Sequence, residues 1–410
     1  MRVPRLAGGF RVGTARSRAW GVVWLLALVA YTSVGPEVAR SRESSPPIVW
    51  EKTGFDSFTV RIRAPRDGTY VGWYSQILAN STDGGMKWTR RTDVNSPFIH
   101  ALDVDPADSA RIFAGRDDGF FRSTDGGVSW TKVLELPPDE ETKDQAGTVV
   151  RRVYDTVRAI SVSPVDPSLV YASVTNQTWT KSPTGNGGST TNNSVRTQRS
   201  RDGGDTWEEI DQMVAAGDCR PYAALLHADP LDARRVYSAR QCQPGGPSAS
   251  GLSVSVDQGA SWRLVSPESG AVVARLSGGE AGSERRLYAD ANLYQKTELF
   301  LNRRLYRSDD GGETWQPISL PFSMVPTADW DVVGLVQHPA DAQHIWVLME
   351  APFNRKIAPQ LMESRDGGQN WTLQAFPEGY RSTHLVGISL DGRYLFATEW
   401  DQGLMRGQIP

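Results

Sequence analysis

An all-β fold is what this sequence predicts: a seven-bladed β-propeller of four-stranded antiparallel blades, closed by an N-terminal strand. Three observations carry that prediction. A turn motif, Ser-x-Asp-x-Gly-x-x-Trp, recurs six times. Each copy follows two further recurring strands, the second marked by an aromatic or aliphatic pair. The composition, with 39 Gly, 25 Pro and 14 Trp in 410 residues, suits short strands joined by tight turns.

The motif copies carry Asp83, Asp125, Asp202, Asp257, Asp310 and Asp366, each two residues after a Ser and five before a Trp. A carboxylate at that position can accept backbone N–H groups of its own loop, as in an Asx-turn. The Gly supplies a backbone conformation closed to residues with a Cβ. The Trp opens the next strand and brings a large apolar surface to bury. Sixfold repetition assigns these aspartates to structure, not to a catalytic array.

Upstream of each turn lies a middle strand: Ile112-Phe113-Ala114, Val170-Tyr171-Ala172, Val236-Tyr237-Ser238, Leu287-Tyr288-Ala289, Ile345-Trp346-Val347 and Leu395-Phe396-Ala397, with Tyr70-Val71-Gly72 in the same slot. Before it comes a strand with a small residue (Ala101, Ala159, Ala274, Gly334, Gly387), suited to the crowded inner position of a blade. Pro/Asp turns such as Asp105-Pro106 and Asp229-Pro230 join the two. One unit is therefore four strands, A to D, with the motif between C and D. Seven A–B pairs fall at residues 55–93, 98–136, 154–211, 219–265, 270–319, 329–376 and 382–407. The seventh lacks the motif. Ile48-Val49-Trp50-Glu51-Lys52 mimics Trp130-Thr131-Lys132 and is expected to supply its fourth strand, covering an edge otherwise open to aggregation.

Residues 1–45 read as targeting sequence. Arg2, Arg5, Arg11, Arg16 and Arg18 precede an apolar run from Ala19 to Val34, and the segment is expected to act as a signal peptide or a membrane anchor. Residues 46–410 are then the exported propeller domain, secreted or membrane-anchored and monomeric. The formal net charge of −3, with no basic stripe, argues against nucleic acid as a partner. Cys219 and Cys242 flank the A–B pair of the fourth unit; export makes a disulfide plausible, two buried thiols being the alternative. The histidines lack ligand spacing, and no calcium loop, P-loop or dinucleotide fingerprint occurs, so no metal and no cofactor is called for.

Starts of A strands should ring the central opening: Asp56, His100, Asp155, Arg158, Arg220, Trp330, Asp331 and His384, with Glu399 and Trp400 nearby at the end of the last B strand. His100 and Arg158 occupy a slot that is Val273, Val333 and Val386 elsewhere. Asp56, His100, Arg158, Arg220, Trp330, His384 and Trp400 are the candidate binding residues. Asp155, Asp331 and Glu399 are the carboxylates that catalysis would use. Insertions cluster in the B–C connections of units 3 to 6: a Gly/Ser/Thr/Asn-rich stretch at Thr175–Val195, then Gln241–Gly251, Ala291–Arg303 and Ala351–Gln360. Variable loops carry function, which places a binding face there. An acidic link, Asp139-Glu140-Glu141, precedes unit 3.

The repeat resembles the BNR/Asp-box superfamily over nearly all of residues 46–410. Its members include sialidases, sortilin-type receptor propellers, xyloglucanases and the photosystem II stability/assembly factor propellers. Trp50, Gly72 and the run Ile77-Leu78-Ala79-Asn80-Ser81-Thr82-Asp83-Gly84-Gly85 look most like the last group. The resemblance implies a propeller; it constrains function weakly. A sialidase would need an Arg-Ile-Pro signature, and Arg61-Ile62-Arg63-Ala64-Pro65 is near it without matching. Three readings stand: a non-catalytic binding or assembly scaffold for a protein partner, a membrane complex among the options, which is favoured; a glycoside hydrolase using two carboxylates; and a glycan-binding module.

Overall fold

The alternation of buried and exposed side chains along short β-branched and aromatic runs produces strands throughout, in a computed structural model that describes residues 46–410 except 56–60, 93–96, 117–118, 138, 185–186, 215–219, 244–249, 279–284, 294–301, 321–330, 352–357, 377–382 and 400–402. The targeting segment expected at 1–45 lies outside the described residues. So does Cys219, and with it the expected disulfide; the backbone of Cys242 pairs with that of Pro221.

The first strand is β1 (Val49–Lys52). Sheet 1 is β2 (Arg61–Arg63), β3 (Tyr70–Tyr74), β4 (Ile77–Ser81) and β5 (Thr89–Arg90). Sheet 2 is β6 (Ile99–Asp105), β7 (Asp108–Arg116), β8 (Gly119–Ser123) and β9 (Thr131–Leu134). Sheet 3 is β10 (Glu140–Lys143), β11 (Val149–Val162), β12 (Val170–Lys181), β13 (Gly188–Ser200) and β14 (Glu208–Val214). Sheet 4 is β15 (Arg220–Ala228), β16 (Val236–Gln243), β17 (Gly251–Ser255) and β18 (Arg263–Leu264). Sheet 5 is β19 (Ala271–Gly278), β20 (Leu287–Leu293), β21 (Asn302–Ser308) and β22 (Gln316–Ile318). Sheet 6 is β23 (Asp331–His338), β24 (Asp341–Glu350), β25 (Gln360–Ser364) and β26 (Thr372–Gln374). Sheet 7 is β27 (Thr383–Ile388), β28 (Tyr394–Glu399) and β29 (Gly403–Gln408), with β1 paired antiparallel to β29, Trp50 opposite Gly407. The architecture is all-β and propeller-type. No helix among the described residues is long and apolar enough to cross a membrane.

Sheet 3 departs from the expected four strands. Its fifth, β10, adds to the outer part of β11, with Glu140 opposite Val153. The stretch expected as a loop, Thr175–Val195, is instead ordered hairpin: β12 runs on to Lys181 and returns as β13 from Gly188. Asn176–Lys181 carries the strand about 20 Å farther at 3.3 Å per residue. Side-chain amides hold this arm. Gln177 donates to Asn192 at 2.8 Å, and Asn193 donates to Asn176 and Thr178 at 2.8 and 2.9 Å. A composition that reads as loop forms strands here because its polar groups satisfy one another.

The core lies between sheets. Trp88, Trp130, Trp207, Trp262, Trp315 and Trp371, the motif tryptophans, each join an apolar cluster drawn from their own sheet and the preceding one. Trp50 does the same between sheets 6 and 7, and its indole N–H reaches Ala375 O at 3.2 Å, as that of Trp371 reaches Ser319 O. The buried aromatics Phe113, Tyr171, Tyr288 and Phe396 sit opposite Arg122, Arg199, Arg307 and Arg406.

Those arginines grip the neighbouring sheet. Arg122 donates to Gly203 O at 2.7 Å, Arg307 to Gly367 O and Arg406 to Gly84 O at 3.0 Å, and Arg199 to Gln258 O. Asn80 plays the part toward Gly126 O, and Arg235, with Tyr237, toward Gly311 O. Each acceptor is the residue after a motif aspartate, where the turn presents its carbonyl outward.

Inside each turn the sequence reading holds. Asp125 Oδ1 accepts from Val128 N–H at 3.0 Å and Ser129 N–H at 2.9 Å, and Ser123 Oγ accepts from Gly127 N–H at 2.8 Å. The two residues after the aspartate have positive φ; in the fourth sheet the first is Gln258 at 62°, a conformation that favours glycine. The hydroxyl and backbone donors of Ser129, then Ser123, hold the exposed Asp125 carboxyl down at about 2, and the same pattern holds Asp257 at about 2. Folded values below the ordinary 3.8 mean that this stabilisation is complete above pH 3.8 and is lost as pH falls toward 2. Ser123→Ala is expected to cost about 1–3 kcal/mol, since it strands the buried Gly127 N–H; urea melting checks this, and an unchanged midpoint would show the turn to be dispensable.

Candidate functional site

Each inner strand, the first of its sheet in sheets 2 and 4 to 7 and β11 in sheet 3, breaks its ladder at a corresponding place. One residue is skipped between Ile99 and Ala101, Val157 and Ala159, Ala223 and Leu225, Val273 and Arg275, Val332 and Gly334, and Leu385 and Gly387. The skipped residues are His100, Arg158, Ala224, Ala274, Val333 and Val386. A β-bulge leaves its extra residue out of the ladder and re-aims its side chain. The slot recognised in the sequence is thus a row of bulges, corrected by one residue in sheet 5, where Ala274 takes the place expected of Val273. In sheets 2, 3, 6 and 7 a small residue follows the bulge, and at Gly334 the next inner strand is close: a Cβ there would lie 2.3 Å from Leu385 Cβ.

Four of the six bulged residues are apolar. His100 and Arg158 stand out on neighbouring inner strands, and both are half-buried. Arg158 Nη2 donates to Gln177 Oε1 at 2.8 Å, which ties it to the arm of sheet 3.

Inner strands of non-adjacent sheets sense one another. Arg61, in β2, is reached by solvent yet enclosed; burial first, then Arg63, lower its pKa, and Tyr222 of sheet 4 opposes them. His227 of sheet 4 is held below the usual histidine range by burial, with Asp229 opposing and Arg63 of sheet 1 adding. His384 of sheet 7 is lowered by its surroundings and by Arg275 of sheet 5. Groups of sheets 1 and 4, and of sheets 5 and 7, are therefore within electrostatic reach of one another.

Further polar bonds link neighbouring inner strands. Arg63 Nε donates to Asp103 Oδ1 at 2.6 Å, Val162 N–H to Asp103 Oδ2 at 2.9 Å, and Ala228 N–H to Ser161 Oγ at 2.9 Å. Arg275 bridges the buried Asp290, at 2.6 Å, and Val332 O, at 2.8 Å. Sequence reasoning met Arg61 and Arg63 only within a near-match to a sialidase signature and did not single out Asp103 or Arg275; their position after or beside the expected A-strand starts is the signal that could have found them.

Of the candidate carboxylates, Asp155 is buried and committed, accepting from Asn176 Nδ2 at 2.8 Å and pairing with Arg196. Asp331 and Glu399 open and close strands of sheets 6 and 7, opposite Glu350 and Thr383; their side chains, and those of Arg220 and Cys242, lie outside the described set. Asp56, Trp330 and Trp400 lie outside the described residues altogether. Among the described residues no His/Cys/Asp/Glu cluster could hold a metal ion.

The BNR/Asp-box repeat family model matches residues 306–317, the fifth motif copy. No curated protein matches the chain significantly in sequence. Among solved structures, the GH74 xyloglucanase from Xanthomonas campestris is similar at 16% identity and a TM-score of 0.57, over 87% of this chain and 53% of that one. The chain thus spans about half the length of that enzyme. YCF48 bound to D1 peptide is similar at 14% identity and a TM-score of 0.54, over 89% of this chain and 97% of that one. YCF48 from Cyanidioschyzon merolae gives 12% identity and a TM-score of 0.50, over 88% and 98%. At such identities the likeness shows fold alone. The family match and the six built turns show BNR/Asp-box repeats in this chain, and the solved structures show a fold similar to that of β-propellers.

Proposed function

We propose that the seven sheets are the blades of one propeller, closed by β1, and that the protein is a non-catalytic binding scaffold for a protein partner. The observation that carries the reading is the row of inner-strand bulges: at a position otherwise apolar, the inner strands of sheets 2 and 3 carry His100 and Arg158, and Arg158 is tied to an arm in which sheet 3 runs on for about 20 Å. Bulges re-aim side chains toward sites, and a cation with spare donors at a wet opening suits recognition. The commitment of Asp155 to Arg196 and Asn176 removes one carboxylate from acid–base duty. Support also comes from YCF48, a propeller of the same size with a peptide bound. Residues 1–45 would deliver the domain outside the cytoplasm, with a membrane complex as the natural place for its partner.

The xyloglucanase likeness favours a second reading, glycan binding or cleavage. The two separate on hydrolysis. Purified protein screened against sialosides and plant and bacterial glycans is expected to release no sugar. Turnover that disappears in Asp331→Asn would establish the hydrolase instead.

A further inference from the structure

We propose that the seam between sheets 6 and 7 is a proton-operated joint, which loosens when His338 takes up a second proton. Everywhere else that a motif turn meets the preceding sheet, an Arg or Asn holds the carbonyl of that turn. Sheet 7 has no motif turn to hold. The residue in the gripping position of sheet 6 is Glu363, opposite Trp346. It is buried and bonds within its own sheet, to His344 Nε2 at 2.6 Å, Arg365 at 2.8 Å and Gln374. The ring of His344 lies 3.9 Å from that of Trp346, and His338 stacks on His344 at 5.5 Å, 10° from parallel.

His338 closes β23, and its ring meets the β27–β28 turn of sheet 7. Gly392, in the β27–β28 turn, has no room for a Cβ, which would stand 2.0 Å from His338 Nε2. On the other side of the ring, Nδ1 accepts from Ala340 N–H at 3.1 Å. A nitrogen that accepts a hydrogen bond carries no proton, so His338 is neutral with its proton on Nε2. A second proton can go only to Nδ1. It breaks the Ala340 bond and sets a cation against the face of His344, with Arg365 beyond.

The facing charges oppose that cation. Burial, then His344, lower the imidazole from 6.5, Arg365 adds to them, and Asp341 and the Gly392 backbone pull the other way. Asp391 and Arg393, on either side of Gly392, pair with each other at 2.6 Å. Since the folded value is depressed, the opened state binds the proton more readily. The joint is fully closed above pH 6.5 and loses stability as pH falls below it. Glu363 adds nothing in this window: burial raises its pKa, but His344 and Arg365 outweigh that and keep it below 4.5.

Hydrogen–deuterium exchange of the full chain at pH 7.5 and 5.5, corrected for intrinsic rates, tests the joint. Protection in β23 and β27 is expected to fall about tenfold more than in β6–β9. His338→Asn retains an acceptor for Ala340 N–H without titrating near neutrality, and should abolish the difference. If that variant does not fold, NMR titration of the native histidines decides: the His338 midpoint must coincide with the exchange midpoint. Uniform loss across all sheets, persistence in His338→Asn, or a midpoint that follows another histidine would overturn the proposal.

Discussion

A chain that starts at residue 56 is expected to aggregate or melt far below one that starts at residue 46. The ten residues removed include β1, whose partner β29 would become an exposed edge with Leu404 and Met405, now buried, beside it. Buried Ile48 and half-buried Trp50 leave the cluster between sheets 6 and 7, at about 1.5–3 kcal/mol for each large side chain. The indole bond to Ala375 and the edge contact with Phe376, ring centres 4.9 Å apart, go with them. Arg406 loses Glu51, its partner at 3.0 Å. The sum of about 5 kcal/mol is comparable with the whole stability of many domains. Trp50→Ala in the complete domain isolates one part of it and should cost about 3 kcal/mol. Equal thermal melting of the 46- and 56-start chains would show that β1 does not close the molecule.

The motif turn was legible because its chemistry is local. Ser, Asp, Gly and Trp are fixed by hydrogen bonds within eight residues, so spacing alone reveals them. The grip between sheets was not legible, for the opposite reason. The residue before the motif serine varies from Asn80 through Arg122, Arg199 and Arg307 to Val254 and Glu363. Its acceptor lies on another sheet, about 50–80 residues away in most cases. In sheet 4, where that residue is Val254, the donor comes from Arg235 instead. Only the assembled seams show that these residues do one job.

The inner-strand slot lies between these extremes. Aligning small residues found His100 and Arg158, because Ala101 and Ala159 mark the close approach that follows each bulge. In sheet 5 the same rule missed by one, since Val272-Val273-Ala274-Arg275 gives three apolar residues in a row and no large residue to set the phase. The arm of sheet 3 was hidden by composition. Gly, Ser, Thr and Asn signal loops when their side chains must compete with the backbone for partners. Here Asn176, Gln177, Asn192 and Asn193 bond one another across β12 and β13 and leave the backbone to the ladder.

Arg158→Ala is expected to weaken partner binding by about 10- to 100-fold while moving the melting temperature little. The range follows from losing one charge-assisted hydrogen bond, about 1.5–3 kcal/mol, at about 1.4 kcal/mol per decade. Stability should hold because the bond given up, to Gln177 Oε1, leaves an acceptor that Thr156 Oγ1 also reaches, at 3.3 Å. His100→Val, which restores the residue type of the slot in sheets 6 and 7, should likewise spare the fold and reduce binding. Both effects are read by capturing partners from membrane extracts with equal amounts of native and variant protein, then measuring affinity for the species captured. Asp125→Ala is the control of opposite sign: it lies on a structural turn, so it should lower stability and leave the affinity of the folded fraction unchanged. If Asp125→Ala and Arg158→Ala weaken capture equally, or if Arg158→Ala lowers melting as much as it lowers binding, the bulge row is scaffolding and the binding face lies elsewhere on the molecule.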